Sequence, residues 1–197
     1  MTRVYLVRHA THGLVDKALA GRMEGVHLSD EGQAQATRLG RHFAGVEVAQ
    51  LLSSPLERCR ETAEPIAAGC GRPVAIEPAL NEIDCGRWTG LDFETLGDDP
   101  HWHAWNHERE QHSMPGGEAM AHVQARVMPL LARLAAEGRG PTVLCSHSDV
   151  IKVVTLTLIG APLGRYGHLA VDPASITTLD LWEGGGKVVR LNEEPRA

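Results

Sequence analysis

Val4-Tyr5-Leu6-Val7-Arg8-His9 is the stretch from which the fold of this 197-residue chain can be predicted. Four apolar residues of the kinds that favour strands are followed directly by a guanidinium and an imidazole. The apolar run predicts a buried strand. In open α/β sheets, ligands bind just beyond the carboxyl ends of the strands. We therefore expect an active site here, with His9 as a nucleophile and Arg8 holding an anion beside it.

Predicted strands and helices alternate along the rest of the chain. Strands are expected at residues 3–7, 50–53, 74–76 and 141–146, helices from 29, from 54–55 to about 68, over 117–137 and over 149–159, and a closing hairpin at 175–182 and 187–192. This order predicts a three-layer α/β fold with a doubly wound, mostly parallel sheet and helices on both faces. A polar insertion at about 91–115 is expected to form a small helical lid, and the whole chain, 1–197, to form a single domain.

Composition and charge limit the kinds of partner. The formal net charge of −6 argues against nucleic-acid binding, which requires a basic face, and against attraction to an anionic membrane. The four cysteines are far apart and form no C-x-x-C pair, which is typical of reduced thiols in a reducing cytosol. No signal peptide or membrane span is recognised. We expect a cytoplasmic protein; its oligomeric state stays open, with a homodimer as one option.

Two predicted strands end in the same way, in Val7-Arg8-His9 and in Cys145-Ser146-His147. The carboxyl ends of parallel strands share one edge of a sheet, so both imidazoles meet there if the strands are neighbours. Arg58 follows a third strand end, in the first turns of a predicted helix. Ser148 opens another helix, whose free N–H groups favour a bound anion. Together these residues predict a site for a phosphoryl group.

The predicted chemistry of this site is phosphoryl transfer. A histidine accepts the group as a nucleophile if its attacking nitrogen is unprotonated, which a backbone carbonyl bonded to the other ring nitrogen would ensure. A second, cationic histidine would stabilise the transferring oxygens. The leaving alkoxide needs a proton, and the candidate acid is Glu82, in an irregular stretch. A neighbouring phosphate would keep that acid protonated.

Five motifs occur in order along the chain: 7–10 (VRHA), 53–63 (SSPLERCRETA), 81–90 (NEIDCGRWTG), 115–118 (PGGE) and 146–147 (SH). Together they resemble the histidine phosphatase superfamily, in the branch that includes cofactor-dependent phosphoglycerate mutases. The resemblance implies that His9 is the residue phosphorylated and that Glu82 is the proton donor. It also implies that Arg8, Arg58 and His147 hold the phosphoryl oxygens. We expect no metal and no other cofactor.

The chain departs from the family pattern beside the nucleophile. Ala10 stands where the family usually has Gly, Thr11 comes one place early and His12 takes the usual hydroxyl position. Val15 stands where an Asn is usual. The phosphate contact of that Asn is either lost or supplied by another residue, for which Thr11 and His12 are the candidates.

The resemblance covers nearly the whole chain, from residue 3 to about 182, and suggests further substrate contacts. Ala20, Gly21 and Arg22 lie in a loop that resembles the family's substrate-side turn, and we expect backbone contacts from them. Ser148 follows the second histidine, where the family often has Gly. We expect Ser148 to contact the substrate as well.

The predicted lid is rich in aromatic and imidazole groups, at residues 101, 102, 103, 105, 107 and 112. His103 and His107 have the i, i+4 spacing that suits a metal on a helix, but no acidic or cysteine partner is positioned nearby. A lid whose rings line the substrate pocket is favoured over a metal site, and a polar surface helix is favoured for any single histidine. The indoles indicate a substrate with an apolar or ring-containing part.

The residues favour a phosphatase that hydrolyses a small-molecule phosphomonoester through a phosphohistidine at His9. One alternative is a mutase that returns the phosphoryl group to another oxygen. The mutases of this family have a longer, Arg-rich lid, whereas Arg109 is the only arginine between Leu91 and Pro115. A second alternative is a non-catalytic phosphate-binding module, which loss of His9 or Glu82 would suggest; both are present.

Overall fold

The computed structural model describes residues 1–196 and is organised around one mixed, six-stranded sheet. The strands are β1 (Thr2–Arg8), β2 (Gln50–Ser53), β3 (Val74–Ile76), β4 (Thr142–Ser146), β5 (Ile176–Trp182) and β6 (Gly185–Glu193). Their order across the sheet is β3-β2-β4-β1-β5-β6. The first four strands in this order are parallel, whereas β5 pairs antiparallel with β1 and with β6. The predicted α/β fold is confirmed, with an antiparallel hairpin at one edge.

Helices cover both faces of the sheet, as predicted. They are α1 (Asp30–Phe43), α2 (Glu57–Cys70), α3 (Phe93–Gly97), α4 (Pro100–His107), α5 (Met120–Glu137) and α6 (Ser148–Leu158). The apolar faces of α1 and α2 pack with Val7 and Leu51 on one side. Those of α5 and α6 pack with Val4 and Leu6 on the other. Because side chains alternate along a strand, β1 contributes to both cores. No helix within residues 1–196 is long and apolar enough to cross a bilayer.

The start of α2 differs from the sequence prediction. Pro55 was expected at an early helical position, but the helix begins at Glu57 with Leu56 as its N-cap residue. The backbone of Leu56 is extended, with φ −70° and ψ 142°, so the helix cannot begin before Glu57, and the hydroxyl of Ser54 accepts from the imidazole of His147. The later start places Arg58 in the first turn, beside the sheet edge.

The strand register brings the predicted site together. In the parallel pairing of β1 with β4, Arg8 lies opposite Ser146, and in that of β2 with β4, Ser53 lies opposite Cys145. The backbone N–H of His9 donates to the carbonyl of Ser146 at 2.9 Å and continues the pairing beyond β1. The strands that end at His9 and His147 are therefore neighbours, as the sequence prediction required.

Candidate active site

The imidazole of His9 is oriented by its own chain. Its Nδ1 lies 2.9 Å from the carbonyl oxygen of Ala10. A carbonyl only accepts, so Nδ1 carries the proton and Nε2 is left with a free lone pair. Burial, and then the charges of Arg58 and Arg8, hold the pKa of His9 well below its usual range. The ring is neutral at neutral pH and is available as a nucleophile.

The turn that carries His9 is anchored to α2 through one side chain. The hydroxyl of Thr62 accepts the backbone N–H of Ala10 at 2.9 Å and donates to the carbonyl of Arg58 at 2.6 Å. Thr62 lies within the motif at 53–63, but nothing in the sequence indicates this bridging role. The bridge fixes the turn that carries His9 relative to the helix that carries Arg58.

Arg58 reaches back over the sheet edge. Its Nη2 donates to the carbonyl of Gly21 at 2.6 Å and lies 3.4 Å from Nδ1 of His147, while its Nε and Nη1 are buried with no hydrogen-bond partner among residues 1–196. Those two N–H groups are donors suited to phosphoryl oxygens. Arg60, two positions along the helix, is exposed, so it faces away as the sequence predicts.

His147 is wholly buried and lies 5.2 Å from His9 between ring centroids. Arg58 only donates, so Nδ1 of His147 accepts, and Nε2 donates to the hydroxyl of Ser54 at 2.9 Å. Burial and then the charge of Arg58 hold the pKa of His147 well below its usual range. The expected cationic form of His147 applies to a site that holds a phosphoryl group, and it stays a prediction. A phosphoryl dianion beside the ring would favour its protonated form.

Glu82 is a neutral acid in this site. Burial, and then the charge of Asp149, raise the pKa of Glu82 to about 8, against a lowering by Arg58. Its Oε1 accepts the N–H of Ile83 at 2.9 Å, and its backbone carbonyl accepts from Arg22 at 2.8 Å. The irregular segment is thus held in place from two sides, with a proton on the carboxyl group near neutral pH.

A cavity of about 210 Å³ collects most of the predicted site residues. It is lined by, among others, Arg8, His9, His12, Ala20, Gly21, Arg58, Glu82 and Ser148. His147 does not line the cavity itself, but it contacts two residues that do, Arg58 and His9. Direct contact between His147 and a phosphoryl group stays a prediction.

The residue beside the nucleophile that faces this cavity is His12, not Thr11. The ring of His12 lies 5.1 Å from that of His9, whereas Thr11 lines a neighbouring cavity. Nδ1 of His12 accepts the N–H of Leu14 at 3.2 Å, so the proton is on Nε2. Burial, more than the nearby arginines, lowers the pKa of His12 to about 4. His12 is thus a neutral donor next to His9, and Thr11 is not in reach of the same cavity.

The family assignment agrees with this geometry. The model of the histidine phosphatase superfamily (branch 1) matches residues 4–194. The chain belongs to this superfamily. The match spans β1 to β6 and extends about twelve residues beyond residue 182, where the sequence resemblance was expected to end.

Relatives of this superfamily member have names that state different activities. A probable phosphoglycerate mutase of Salmonella choleraesuis is 28% identical over 199 residues, which cover 96% of this chain and 91% of that protein. A mycobacterial glucosyl-3-phosphoglycerate phosphatase, solved with inorganic phosphate, has a TM-score of 0.87 at 26% identity and covers 100% of both chains. An alpha-ribazole phosphatase from Shigella flexneri has a TM-score of 0.86 at 27% identity, covering 100% of this chain and 98% of its own. The chain is therefore an enzyme that handles phosphoryl groups.

The lid of this superfamily member differs from the sequence expectation. The side chain of Trp105 is fully buried, and Trp102 packs edge-on against Trp88 at 5.4 Å. Of the lid residues, Phe93 lines the 210 Å³ cavity, and none of the lid's indoles or imidazoles in the described part of the chain does so. The expectation that the lid's rings line the substrate pocket is therefore wrong for this cavity, because Trp105 lies in the hydrophobic core and Trp102 packs against it.

The i, i+4 histidine pair of the lid is bonded to backbone. Nε2 of His103 lies 2.7 Å from the carbonyl of Gly97, and Nδ1 of His107 lies 2.8 Å from the carbonyl of His103. Each ring therefore stabilises the short lid helices α3 and α4. Within residues 1–196, no group of three or more His, Cys, Asp and Glu side chains is arranged to hold a metal ion.

Sequence reasoning missed a group of side chains on the far wall of the cavity. Asp149 and Tyr166 both line it. The guanidinium of Arg109 lies 3.8 Å from the centroid of the Tyr166 ring, the ammonium of Lys152 lies 3.9 Å from it, and Arg109 is 3.8 Å from a carboxylate oxygen of Asp149. Asp149 is visible in the sequence two places after His147, but Tyr166 follows no motif. These contacts join the lid to the first turn of α6.

Proposed function

We propose that the protein is a phosphatase that hydrolyses small-molecule phosphomonoesters through a phosphohistidine at His9. One observation carries the proposal. His9 and Glu82 line the same cavity. The hydrogen bond between Nδ1 of His9 and the Ala10 carbonyl leaves Nε2 with a free lone pair, and the raised pKa of Glu82 keeps its carboxyl group protonated. A nucleophile and an acid on one small cavity are what cleavage of an ester with a poor leaving group requires.

In the first step, the lone pair of His9 Nε2 attacks phosphorus. The P–N bond forms as the bond between phosphorus and the leaving oxygen breaks, and the proton of Glu82 passes to that oxygen. The charge on the other phosphoryl oxygens is met by the unpartnered N–H groups of Arg58 and Arg8 and by Nε2–H of His12. Such positioned donors supply most of the catalysis in phosphoryl transfer.

In the second step, the Glu82 carboxylate removes a proton from water as the water oxygen attacks phosphorus. The P–N bond breaks, its electron pair returns to His9 Nε2, and inorganic phosphate leaves. Glu82 must therefore be an acid and then a base. The raised pKa of Glu82, about 8, suits this alternation near neutral pH.

A mutase is the second candidate because curated relatives carry the name of a phosphoglycerate mutase. A mutase must hold a substrate with further negative charge and exclude water. The one arginine of the lid, Arg109, already contacts Tyr166, Trp105 and Asp149. Because these contacts occupy the guanidinium of Arg109, the lid has no other arginine to bind a second anionic group of the substrate. This favours the phosphatase.

The test compares the wild type with His9→Asn, and with His168→Asn as a control at an exposed histidine. Quenching the wild type during turnover of a labelled phosphomonoester is expected to trap an acid-labile, base-stable phosphoprotein, which His168→Asn retains and His9→Asn loses. Release of inorganic phosphate without a bisphosphoglycerate primer supports the phosphatase. Primer-dependent isomerisation without phosphate release would instead establish the mutase, and full activity in His9→Asn would overturn both.

A further inference from the structure

A second and larger cavity lies on the other side of Arg8. Its volume is about 580 Å³, which is within the range of small-molecule binding sites. It shares Arg8, Val15 and Asp16 with the 210 Å³ catalytic cavity. The remaining walls come from Thr11, from α1, from the turn before β5, and from the end of β6 and the segment after it. The proposed chemistry makes no use of this space.

The floor of this second cavity contains polar groups without partners. The hydroxyl of Ser175 is buried, with 3% of the residue exposed, and it has no hydrogen-bond partner within the described chain. The Nε of Arg8 is buried and is also without a partner there. Buried polar groups are nearly always hydrogen-bonded, and exceptions concentrate at sites that take a ligand. A ligand hydroxyl can accept from the Ser175 hydroxyl, whereas the Nε–H of Arg8 is the donor proposed for the phosphoryl group.

Backbone strain is concentrated on the same cavity. Within residues 1–196, the non-glycine residues with positive φ are Asp16 (59°), Ala174 (60°) and Asn192 (55°), and all three line it. Asp and Asn tolerate this conformation, but alanine does so only at a cost. Strain of this kind persists where the surroundings impose it, and it clusters at functional sites.

The strained residues are held by specific contacts. The N–H of Ala174 lies 3.2 Å from the carbonyl of Arg8 and 3.3 Å from that of His9. Asp172 and Asn192 bond each other twice, through the N–H of Asp172 and the side-chain amide of Asn192, each at 2.6 Å. Hydrogen bonds therefore fix the shape of this cavity and connect Ala174 in its wall directly to the turn that carries His9.

The charges around the cavity define the ligand that fits. Four carboxylates, Asp16, Glu31, Asp172 and Glu194, face two guanidiniums, Arg8 and Arg38. The excess of carboxylates opposes a second anion, while carboxylates, amides and guanidiniums together match hydroxyl groups, which both donate and accept. Small apolar surfaces lie among them, from residues 15, 173 and 195.

We propose that this second cavity binds a neutral, polyhydroxylated group, and that its occupant is the sugar-like leaving group of the phosphomonoester. The inference rests on the proposed function and adds a substrate class to it. Arg8 is the common wall, so an ester whose phosphoryl group lies beside His9 extends past Val15 and Asp16 into the second cavity. Selectivity then comes from hydroxyl groups far from phosphorus.

The first test compares four esters that share the phosphoryl group. They are ethyl phosphate, a neutral hexose 6-phosphate, the corresponding amino sugar phosphate and 3-phosphoglycerate. We expect kcat/KM for the hexose ester to exceed that of ethyl phosphate and of 3-phosphoglycerate by about tenfold or more, mostly through KM. Equal values, or preference for the amino sugar or for 3-phosphoglycerate, would overturn the polyol assignment.

Matched variants locate the preference. Ser175→Ala and Arg38→Ala are expected to raise KM for the hexose ester about five- to tenfold and to leave ethyl phosphate hydrolysis unchanged. Thr177→Val removes another buried hydroxyl without a partner, and Arg41→Ala removes an exposed arginine of the same helix; neither residue lines the cavity. Both controls are expected to behave as the wild type. If all four variants keep the wild-type preference, the cavity is not the site.

A binding measurement separates this inference from the proposed function. Saturation-transfer NMR with the free hexose, in the presence of inorganic phosphate, needs no turnover. Binding by the wild type that Ser175→Ala weakens by about five- to tenfold supports the site. It does so even if no ester is hydrolysed, which is the result that would overturn the phosphatase. If the wild type hydrolyses esters but does not bind the free hexose, the polyol site is wrong and the proposed phosphatase activity still stands.

Discussion

The Oε2 atom of Glu82 lies 3.6 Å from Nδ1 of His147, at the distance of an ion pair, yet both groups are uncharged near neutral pH. Burial raises the pKa of Glu82 to about 8 and, with Arg58, holds that of His147 well below its usual range. The carboxyl group of Glu82 is therefore protonated and can act as an acid before the reaction begins. Arg58 supplies the positive charge.

Replacing Glu82 by Gln tests where that proton is used. The amide keeps the size of the side chain and the contact to the N–H of Ile83 but has no acidic proton. For an alkyl phosphate we expect kcat to fall by about 10²–10⁴, the usual worth of a general acid. For p-nitrophenyl phosphate, whose leaving group needs no proton, stopped-flow should record a burst of one nitrophenolate per site, then slow turnover. A wild-type rate with the alkyl ester would show that another group is the acid.

The pH dependence follows from the same carboxyl group. The first step needs Glu82 protonated, so kcat/KM for an alkyl ester should fall as pH rises through about 8. The lowered pKa of His9 keeps the nucleophile neutral well below pH 6.5, so no acid limb is expected near that value. The measurement is a pH–rate profile of the wild type beside Glu82→Gln, in which the limb near pH 8 disappears. A limb near 4.5, the ordinary value for Glu, would contradict the assignment.

Stability has a matching dependence on pH. The pKa of Glu82 is higher in the folded than in the unfolded chain, so between about 4.5 and 8 the folded state binds more protons. Its contribution to the free energy of unfolding is present at low pH and is lost as pH rises through that window. Urea unfolding at several pH values should give a steeper fall for the wild type than for Glu82→Gln. Parallel curves would mean that the carboxyl group is ionised in the folded protein.

Arg58 and Arg60 form a natural pair of variant and control. Arg58 is 1% exposed and has two unpartnered N–H groups at the site, whereas Arg60 is exposed on the same helix. Losing one such donor set should cost about 10²–10³ in kcat, so Arg58→Ala is expected to lose that much and Arg60→Ala to stay within about twofold. Arg58→Lys, which keeps the charge without the forked donors, should recover only part of the rate. Equal losses in the two alanine variants would place the clamp elsewhere.

The regular elements and the strand-end residues could be predicted from the sequence because their physics is local. The runs at 50–53 and 74–76 have the predicted bounds, since each is a short apolar run bounded by polar or turn residues. His9 and His147 could be brought together because parallel neighbouring strands end at one edge. The general geometry of parallel sheets was therefore sufficient to predict that these two histidines lie close together.

The loops could not be resolved in the same way. Thr11 and His12 are adjacent in a segment without periodicity, so the sequence offers no rule for which of them faces His9. The lid indoles at 102 and 105 are spaced to lie on one helix face, but nothing local tells whether that face meets substrate or core. Tyr166 reaches the site from a turn with no motif. Tertiary contacts decided all three cases.

A glycine pair tests how tightly the nucleophile's loop is fixed to α1. A Cβ at Gly32 would lie 2.0 Å from the carbonyl oxygen of Thr11, which already accepts the N–H of Ser29, so the clash falls on backbone that cannot move freely. Gly32→Ala should lower the free energy of unfolding by about 1–3 kcal/mol and, by displacing the segment that carries His12, reduce kcat as well. Gly97, in the lid helix α3, has nothing within 4 Å of such a Cβ and no positive φ, so Gly97→Ala should be neutral or stabilise by up to about 1 kcal/mol. Urea unfolding and steady-state kinetics of both variants provide the comparison. If Gly32→Ala is as stable and as active as Gly97→Ala, the loop adjusts freely and the contact between Thr11 and α1 does not position the site.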